Sequence, residues 1–490
     1  MFEEFLEKEL QRRVKLLSLL WEKDEVTSIE LALEIDVTPA TIKSDVKAIN
    51  LEYAVGVDPL IVSSTTGYSI LNKNLRNRGN YLKKIYRSSL FVKATVFFLE
   101  SNLTSLKMLE NKENLSQTKA YSVKSKVEEY FERLKVLENG QVTEKTELRV
   151  RFLMAFYQWE LGVETISISN TNRKLYQELF KEVEAIERCM FSIRSKEYAM
   201  ILFQIGFMRR KENKFLLEKT EIDFIKKTII YKRLSPILNN FLQKMVNFDI
   251  REEEIIYFAL IFNVMNANYY DDFSETFNSY FLLIKNASFL NYQCLVRTFE
   301  VEFNCVLENN KIFEAAIVTF IRKCLFNLQA LIPEEHVSIG NVISLPEDFK
   351  FKIQEILEVW NTTTGLDLVF SEAHVLQFAS KFIFLLRKTE RIKHIYLLTS
   401  FHTDYLLAKE VLMNEYGALV DIQRFNPLEA RKYNPEDLIL YDTEYNGIDF
   451  ISKKLKIKYI FDLKELQNIR TLLFGYDLEG IKESARTKSV

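Results

Sequence analysis

The chain has 490 residues, 48% hydrophobic and 27% charged, with a formal net charge of −2. That length exceeds one ordinary core, and the balance is that of a folded protein of three or four domains, not a disordered one. No apolar run approaches the ~18 residues a membrane span needs, and the four cysteines (Cys189, Cys294, Cys305, Cys324) have neither zinc-ligand nor disulfide-framework spacing. The acidic start, Met-Phe-Glu-Glu, has no signal-peptide pattern, so the expected setting is cytoplasmic, with no membrane partner. The small net charge hides an uneven distribution. Met1 to Asn72 holds 7 Lys/Arg and 13 Asp/Glu, whereas Lys73 to Lys135 holds 14 and 6. Nucleic-acid binding needs a local basic surface, and the second window supplies one.

Residues 5–22 read as an amphipathic helix and Ser28 to Glu34 as a short second one. In the "VTPATIKSDVKAIN" that follows, Thr38 suits an N-cap and Pro39 the first helical position, where its missing N–H costs nothing. Ile42, Val46 and Ile49 recur at helical spacing and should face inward. Asp36 lies in the turn between the helices and tolerates left-handed φ better than most residues. "LIVSSTTGYSI" then reads as two short strands about a Thr-Thr-Gly turn. The outline is a winged helix-turn-helix over residues 1–75. On its second helix Thr41, Lys43, Ser44 and Lys47 are the candidate DNA contacts, with Asp45 between the lysines as an unfavourable charge.

A second outline fills 76–170. Phe91 to Glu100 is an apolar helix, and Thr104 can cap a short one running to about Lys112. Ser116 can cap the stretch "LSQTKAYSVKSKVEEYF", in which Ala120, Val123, Val127, Phe131 and Leu134 form one inward stripe. Thr118, Ser122, Ser125 and Lys126 lie opposite, and Lys119, Tyr121 and Lys124 lie on the flanks. With Gln117 these are the candidate DNA contacts, because small hydroxyls, amides and lysines suit base edges and phosphates. The glutamates begin only at Glu128, past the half of a recognition helix that reads bases. Lys135 to Val150 should supply a second wing around Asn139-Gly140.

Long helices with polar connections occupy about 171–390. "REEEIIYFALIFNVM" and "FSEAHVLQFASKFIFLL" are acidic, then apolar at helical period, and lie about 118 residues apart, which suggests two tandem bundles. The texture then changes. "KHIYLLTS", "ALVDIQRF", "DLILYDT" and "IKYIFDL" read as buried strands, with a helix from Asp404 to Tyr416 ended by Gly417 and a last helix from about Leu463. Strands alternating with helices argue for a small α/β domain with a mainly parallel sheet. Nothing points to catalysis, a cofactor or a metal. The four histidines (His336, His374, His394, His402) lack ligand spacing, and there is no nucleophile elbow, Walker loop or dinucleotide turn.

In this order of parts the chain resembles the Mga/AtxA family of virulence regulators. The carriers are "VTPATIKSDVKAIN", "NLSQTKAYSVKSKVEEYFERL" and "ELRVRFLMAFYQ". The resemblance implies a mainly α, multidomain protein. Two winged helix-turn-helix units would precede two phosphotransferase-system regulation domains, at 171–280 and 281–390, and an enzyme IIB-like α/β domain at 391–490. It implies a transcriptional regulator acting on double-stranded DNA as a homodimer. Control would come from the sugar phosphotransferase system through its phosphocarrier protein, with His336 and His374 as the candidate phosphorylation sites. The chain departs from the pattern twice. Residues 171–280 contain no histidine, and the loop "LLTSFHTDY" lacks the cysteine of a true IIB domain. Two other readings stand beside this one: a IIB-type phosphocarrier, which the missing cysteine opposes, and an RNA-binding antiterminator, which the helical start opposes.

Overall fold

The computed structural model describes the chain except residues 1, 54–57, 102–105, 211–213, 246–250, 271–274, 304, 309, 334–346, 391–392, 417–419, 427–432, 435–436, 443–451, 458–462 and 475–490. It divides into two units, Met1–Ser380 and Lys381–Val490. The first is mainly helical and the second carries a small parallel sheet.

The first unit opens with a 3-10 turn, Glu3–Phe5, and not with the single helix expected from residue 5. Leu6 is extended, because Phe5 leaves the helical path to pack on Phe91 and Tyr130, with ring centroids 5.3 and 5.4 Å away. Helix α1 (Lys8–Glu22) follows, then α2 (Ser28–Ile35), α3 (Pro39–Tyr53) and the antiparallel hairpin of β1 (Ile61–Ser63) and β2 (Tyr68–Ile70). Ile42, Val46 and Ile49 are buried as their spacing predicts, and Asp36 is left-handed at φ 61°. Gly67 lets the hairpin approach the chain before α2. Tyr68 exchanges backbone hydrogen bonds of 2.8 and 3.0 Å with Val26, and a Cβ on Gly67 would sit 2.5 Å from the Val26 carbonyl oxygen.

Next come α4 (Arg78–Ser88), α5 (Leu90–Ser101), α6 (Leu106–Glu113), α7 (Gln117–Arg133) and α8 (Glu147–Glu160). Thr104 lies outside the described residues. The second wing is smaller than expected. Asn139 and Gly140 take positive φ as a tight turn requires, but only one bridge, Glu138 to Gln141, closes it. The turn into α8 begins at Thr143, whose carbonyl accepts from the Thr146 and Glu147 N–H groups at 3.1 and 3.0 Å, so the chain leaves the hairpin path soon after Gln141.

The helical middle comprises α9 (Asn170–Glu187), β3 (Cys189–Phe191), α10 (Ile193–Arg209), α11 (Lys219–Lys227), α12 (Ile229–Met245), α13 (Glu252–Val264) and β4 (Ala267–Tyr269). It continues with α14 (Glu275–Asn286), α15 (Tyr292–Phe303), α16 (Lys311–Cys324), α17 (Glu347–Thr364) and α18 (Glu372–Glu390). Helix starts recur along the chain. Those of α10 and α16 lie 118 residues apart (Ile193, Lys311), as do those of α12 and α17 (Ile229, Glu347), and those of α13 and α18 lie 120 apart (Glu252, Glu372). Position 280 falls inside α14.

One buried apolar cluster runs from Phe5 to Ile332 and includes residues of α1, α5, α7, α8, α10 and α13. Within it Glu147 of α8 accepts from Arg151 at 2.9 Å and from Arg209 of α10 at 2.8 and 2.7 Å. The Arg151 guanidinium also lies over the Tyr257 ring, 4.9 Å from its centroid. A buried charge is tolerable when so fully paired, and the group pins α8 to α10.

In the second unit β5 (Lys393–Leu398), α19 (His402–Tyr416), β6 (Val420–Arg424), β7 (Leu438–Tyr441), β8 (Lys453–Lys456) and α20 (Leu463–Phe474) build a sheet of order β6-β5-β7-β8, parallel at every pairing. The first three strands match the apolar runs. The fourth does not. It is the lysine-rich stretch before Ile457, whereas most of "IKYIFDL" lies outside the described residues, as does Gly417. An edge strand with one covered side carries lysines, which hides it from a search for apolar runs.

Candidate nucleic-acid interface

Two turns in the first unit are built alike. Helix α2 ends at Asp36 (φ 61°), and α6 ends at Asn114 (φ 51°). A half-buried apolar residue follows each, and its amide reaches back five residues. Val37 N–H donates to the Ala32 carbonyl and Leu115 N–H to the Glu110 carbonyl, both at 2.9 Å. Next comes a hydroxyl cap. Thr38 Oγ1 accepts from Thr41 N–H at 3.3 Å, and Ser116 Oγ accepts from Lys119 N–H at 3.4 Å. Each turn thus satisfies the helix ends on both sides within three residues and aims α3 and α7 across their predecessors. Asn-Leu-Ser at 114–116 mirrors Asp-Val-Thr at 36–38, a match of residue type that identity alone does not bring out.

Helix α7 buries Ala120, Val123, Val127, Phe131 and, at its end, Leu134. Gln117, Thr118, Lys119, Tyr121, Ser122, Ser125 and Lys126 are exposed, so the expected outer face stands almost whole. Lys124 departs from it. Its ammonium lies 3.4 Å from Glu128, one turn on, and the side chain is half-buried. Glu129 is drawn aside by Arg133, which also holds Glu4 at 2.9 Å. Lys119 and Lys126 enter no ion pair among the described residues.

On α3 the charge balance differs from the one expected. Asp45 does not sit between the lysines on the outer face. It is 3% exposed and turned inward, accepting from Arg12 at 2.5 and 3.0 Å, with Arg13 3.7 Å away. The Asp45 hydrogen bond holds the Arg12 guanidinium still more firmly protonated than usual. Lys43, Ser44 and Lys47 remain outside with no acid between them, while the Thr41 hydroxyl is 2.9 Å from that of Thr38. The β1–β2 turn is held by Glu25, which accepts from the Ser64 and Thr66 hydroxyls, the latter at 2.7 Å. Those bonds keep the Glu25 carboxyl below its ordinary pKa.

The histidine candidates fare differently. His374 lies on α18 and is buried, 3% exposed. His336 lies outside the described residues. In the second unit, the strand order reverses between β5 and β7, where open α/β sheets take their ligands. That mouth presents a carboxylate and no thiol: Asp442 accepts from Ser400 N–H at 2.6 Å and from Ser400 Oγ at 3.0 Å. Among the described residues no cluster could hold a metal ion, and no helix is long and apolar enough to cross a membrane. Compared with known proteins, the chain matches no family model and no curated protein.

Proposed function

We propose that the protein is a DNA-binding transcriptional regulator with the architecture of the Mga/AtxA family. Residues 1–75 and 76–170 act as tandem helix-turn-helix heads, the first with a full wing and the second with a reduced one. The helical middle from 171 to 390 acts as two regulation modules whose boundary lies outside α14 and not at 280, and 391–490 acts as a IIB-like domain without phosphotransfer chemistry. The observation that carries this reading is the shared left-handed turn and hydroxyl cap before α3 and α7, each presenting lysines and small hydroxyls outward. The lysines neutralise phosphates and release counterions, which supplies affinity. Gln117, Thr118, Ser122 and Ser125 on α7, with Ser44 on α3, are exposed, and in this reading they meet base edges. A homodimer doubles the contacts available to heads that each read few bases. Competition between labelled duplex DNA and RNA hairpins for the full chain tests this. Preference for the duplex supports it, and preference for the hairpin replaces it with the antiterminator reading. Transfer of a labelled phosphoryl group to the second unit would instead favour a phosphocarrier.

A further inference from the structure

Three elements of the first unit converge on Trp159, near the end of α8. From α4 the Lys83 ammonium lies 5.3 Å from the indole centroid, and from α10 the Arg194 guanidinium lies 6.0 Å from it. Arg87, one turn after Lys83, closes over Gly162, where a Cβ would sit 2.6 Å from Arg87 Nη2 and 3.1 Å from Lys83 Cδ. The side chains of Lys83, Arg87 and Arg194 make no ion pair and donate no hydrogen bond among the described residues.

Two adjoining clefts of about 950 and 590 Å³ share Lys83 and Trp159 in their walls. Most of the acids lining them are already engaged. Glu3 accepts from Tyr86 at 2.5 Å, Glu4 from Arg133 at 2.9 Å, and Glu197 from Arg173 at 2.8 Å. Glu160 and Glu164 are the remaining carboxylates in the walls. Burial lowers the Lys83 pKa, and the positive charges of Arg194 and Arg87 add to that, with Glu160 opposing them. Three crowded cations beside an aromatic face cost free energy while empty and gain it when a multiply charged anion enters.

We propose that the two adjoining clefts bind a small phosphate monoester where they meet, its phosphate at Lys83 with Arg194 on one side and Arg87 on the other, and its organic part packed beside Trp159, whose ring the Lys83 and Arg194 cations overlie. The site joins α4 and α8, both within 76–170, to α10, within 171–280, so an occupant favours whichever arrangement of these helices it fits. Occupancy of the cleft does not depend on DNA binding by α3 and α7, although the same phosphate chemistry could come from a metabolite or from a DNA backbone.

Calorimetric titration of the full chain with phenyl phosphate, inorganic phosphate and phenol distinguishes the possibilities. Phenyl phosphate should bind saturably and more tightly than inorganic phosphate, and phenol should not bind. Arg194→Gln and Arg87→Gln, both at exposed positions, should each weaken phenyl phosphate about tenfold, the worth of one charge-assisted hydrogen bond. Absence of saturable binding, or isotherms unchanged in both variants, overturns the proposal. So does a result in which Arg194→Gln weakens duplex DNA and leaves phenyl phosphate untouched, because the cleft then serves the DNA backbone.

Discussion

Asp45 is the buried anchor of Arg12 and Arg13, and through them it ties α3 to α1. Asp45→Ala is therefore expected to destabilise the first head by about 2 kcal/mol, less than for a fully buried pair because Arg12 is a quarter exposed. A gain in DNA affinity without loss of stability, read from denaturant melts and binding curves, would show that the aspartate faces outward after all. Along the chain it looks like a charge that weakens a recognition helix. Its inward turn was not legible there because its partner Arg12 lies 33 residues upstream, beyond any local pattern. Gly67 is a second such position. Its need for closeness to Val26 arises from a bridge between segments about 40 residues apart, and Gly67→Ala should cost about 2 kcal/mol through backbone displacement. Urea denaturation checks this, and an unchanged midpoint would show that the hairpin moves freely. Glu25 adds a pH signature. Its pKa is lowered in the folded chain, so its hold on the hairpin is present above the ordinary carboxylate range and lost as pH falls through the depressed value. Amide protection factors at Thr66 and Gly67, whose N–H groups donate to Ser64 Oγ, should fall as pH drops through that depressed value, and Glu25→Gln should abolish the fall.

Among the secondary-structure elements, helices were legible wherever caps and periodicity agreed. Thr38-Pro39, Ser116 and the Val123/Val127 stripe all lie where the spacing puts them, because helix ends and faces are set by residues within one or two turns. Short β elements were less legible. The turn at Asn139-Gly140 has the right dipeptide but only one bridge, and β8 is a lysine-rich edge. Ser116→Ala removes one cap and should lower stability by about 1 kcal/mol. Thr118→Ala and Ser122→Ala should leave the fold intact, since both side chains are exposed. They are expected to change relative affinity among DNA sites more than non-specific binding. Equal weakening on every sequence would mean these hydroxyls only position the protein, with selectivity arising from DNA shape.

For the molecule as a whole, the second unit offers a small parallel sheet whose switch point presents Asp442 and Ser400 and no thiol, so assembly is the role proposed for it. Deleting residues 391–490, which leaves α18 entire, should shift the protein toward monomer in sedimentation and weaken DNA binding, because two tethered heads gain from effective concentration. A truncated chain that stays dimeric would place the dimer interface in the helical middle. The proposed function turns on the outer face of α7 carrying the DNA, and the salt dependence of duplex binding is its sharpest test. Lys119→Ala combined with Lys126→Ala should weaken binding on all sequences and reduce the slope of log K against log salt by about 0.9 for each phosphate no longer neutralised. Lys43→Ala with Lys47→Ala should do less. An unchanged slope in the α7 double variant, or a greater weakening in the α3 pair, would move the DNA off α7.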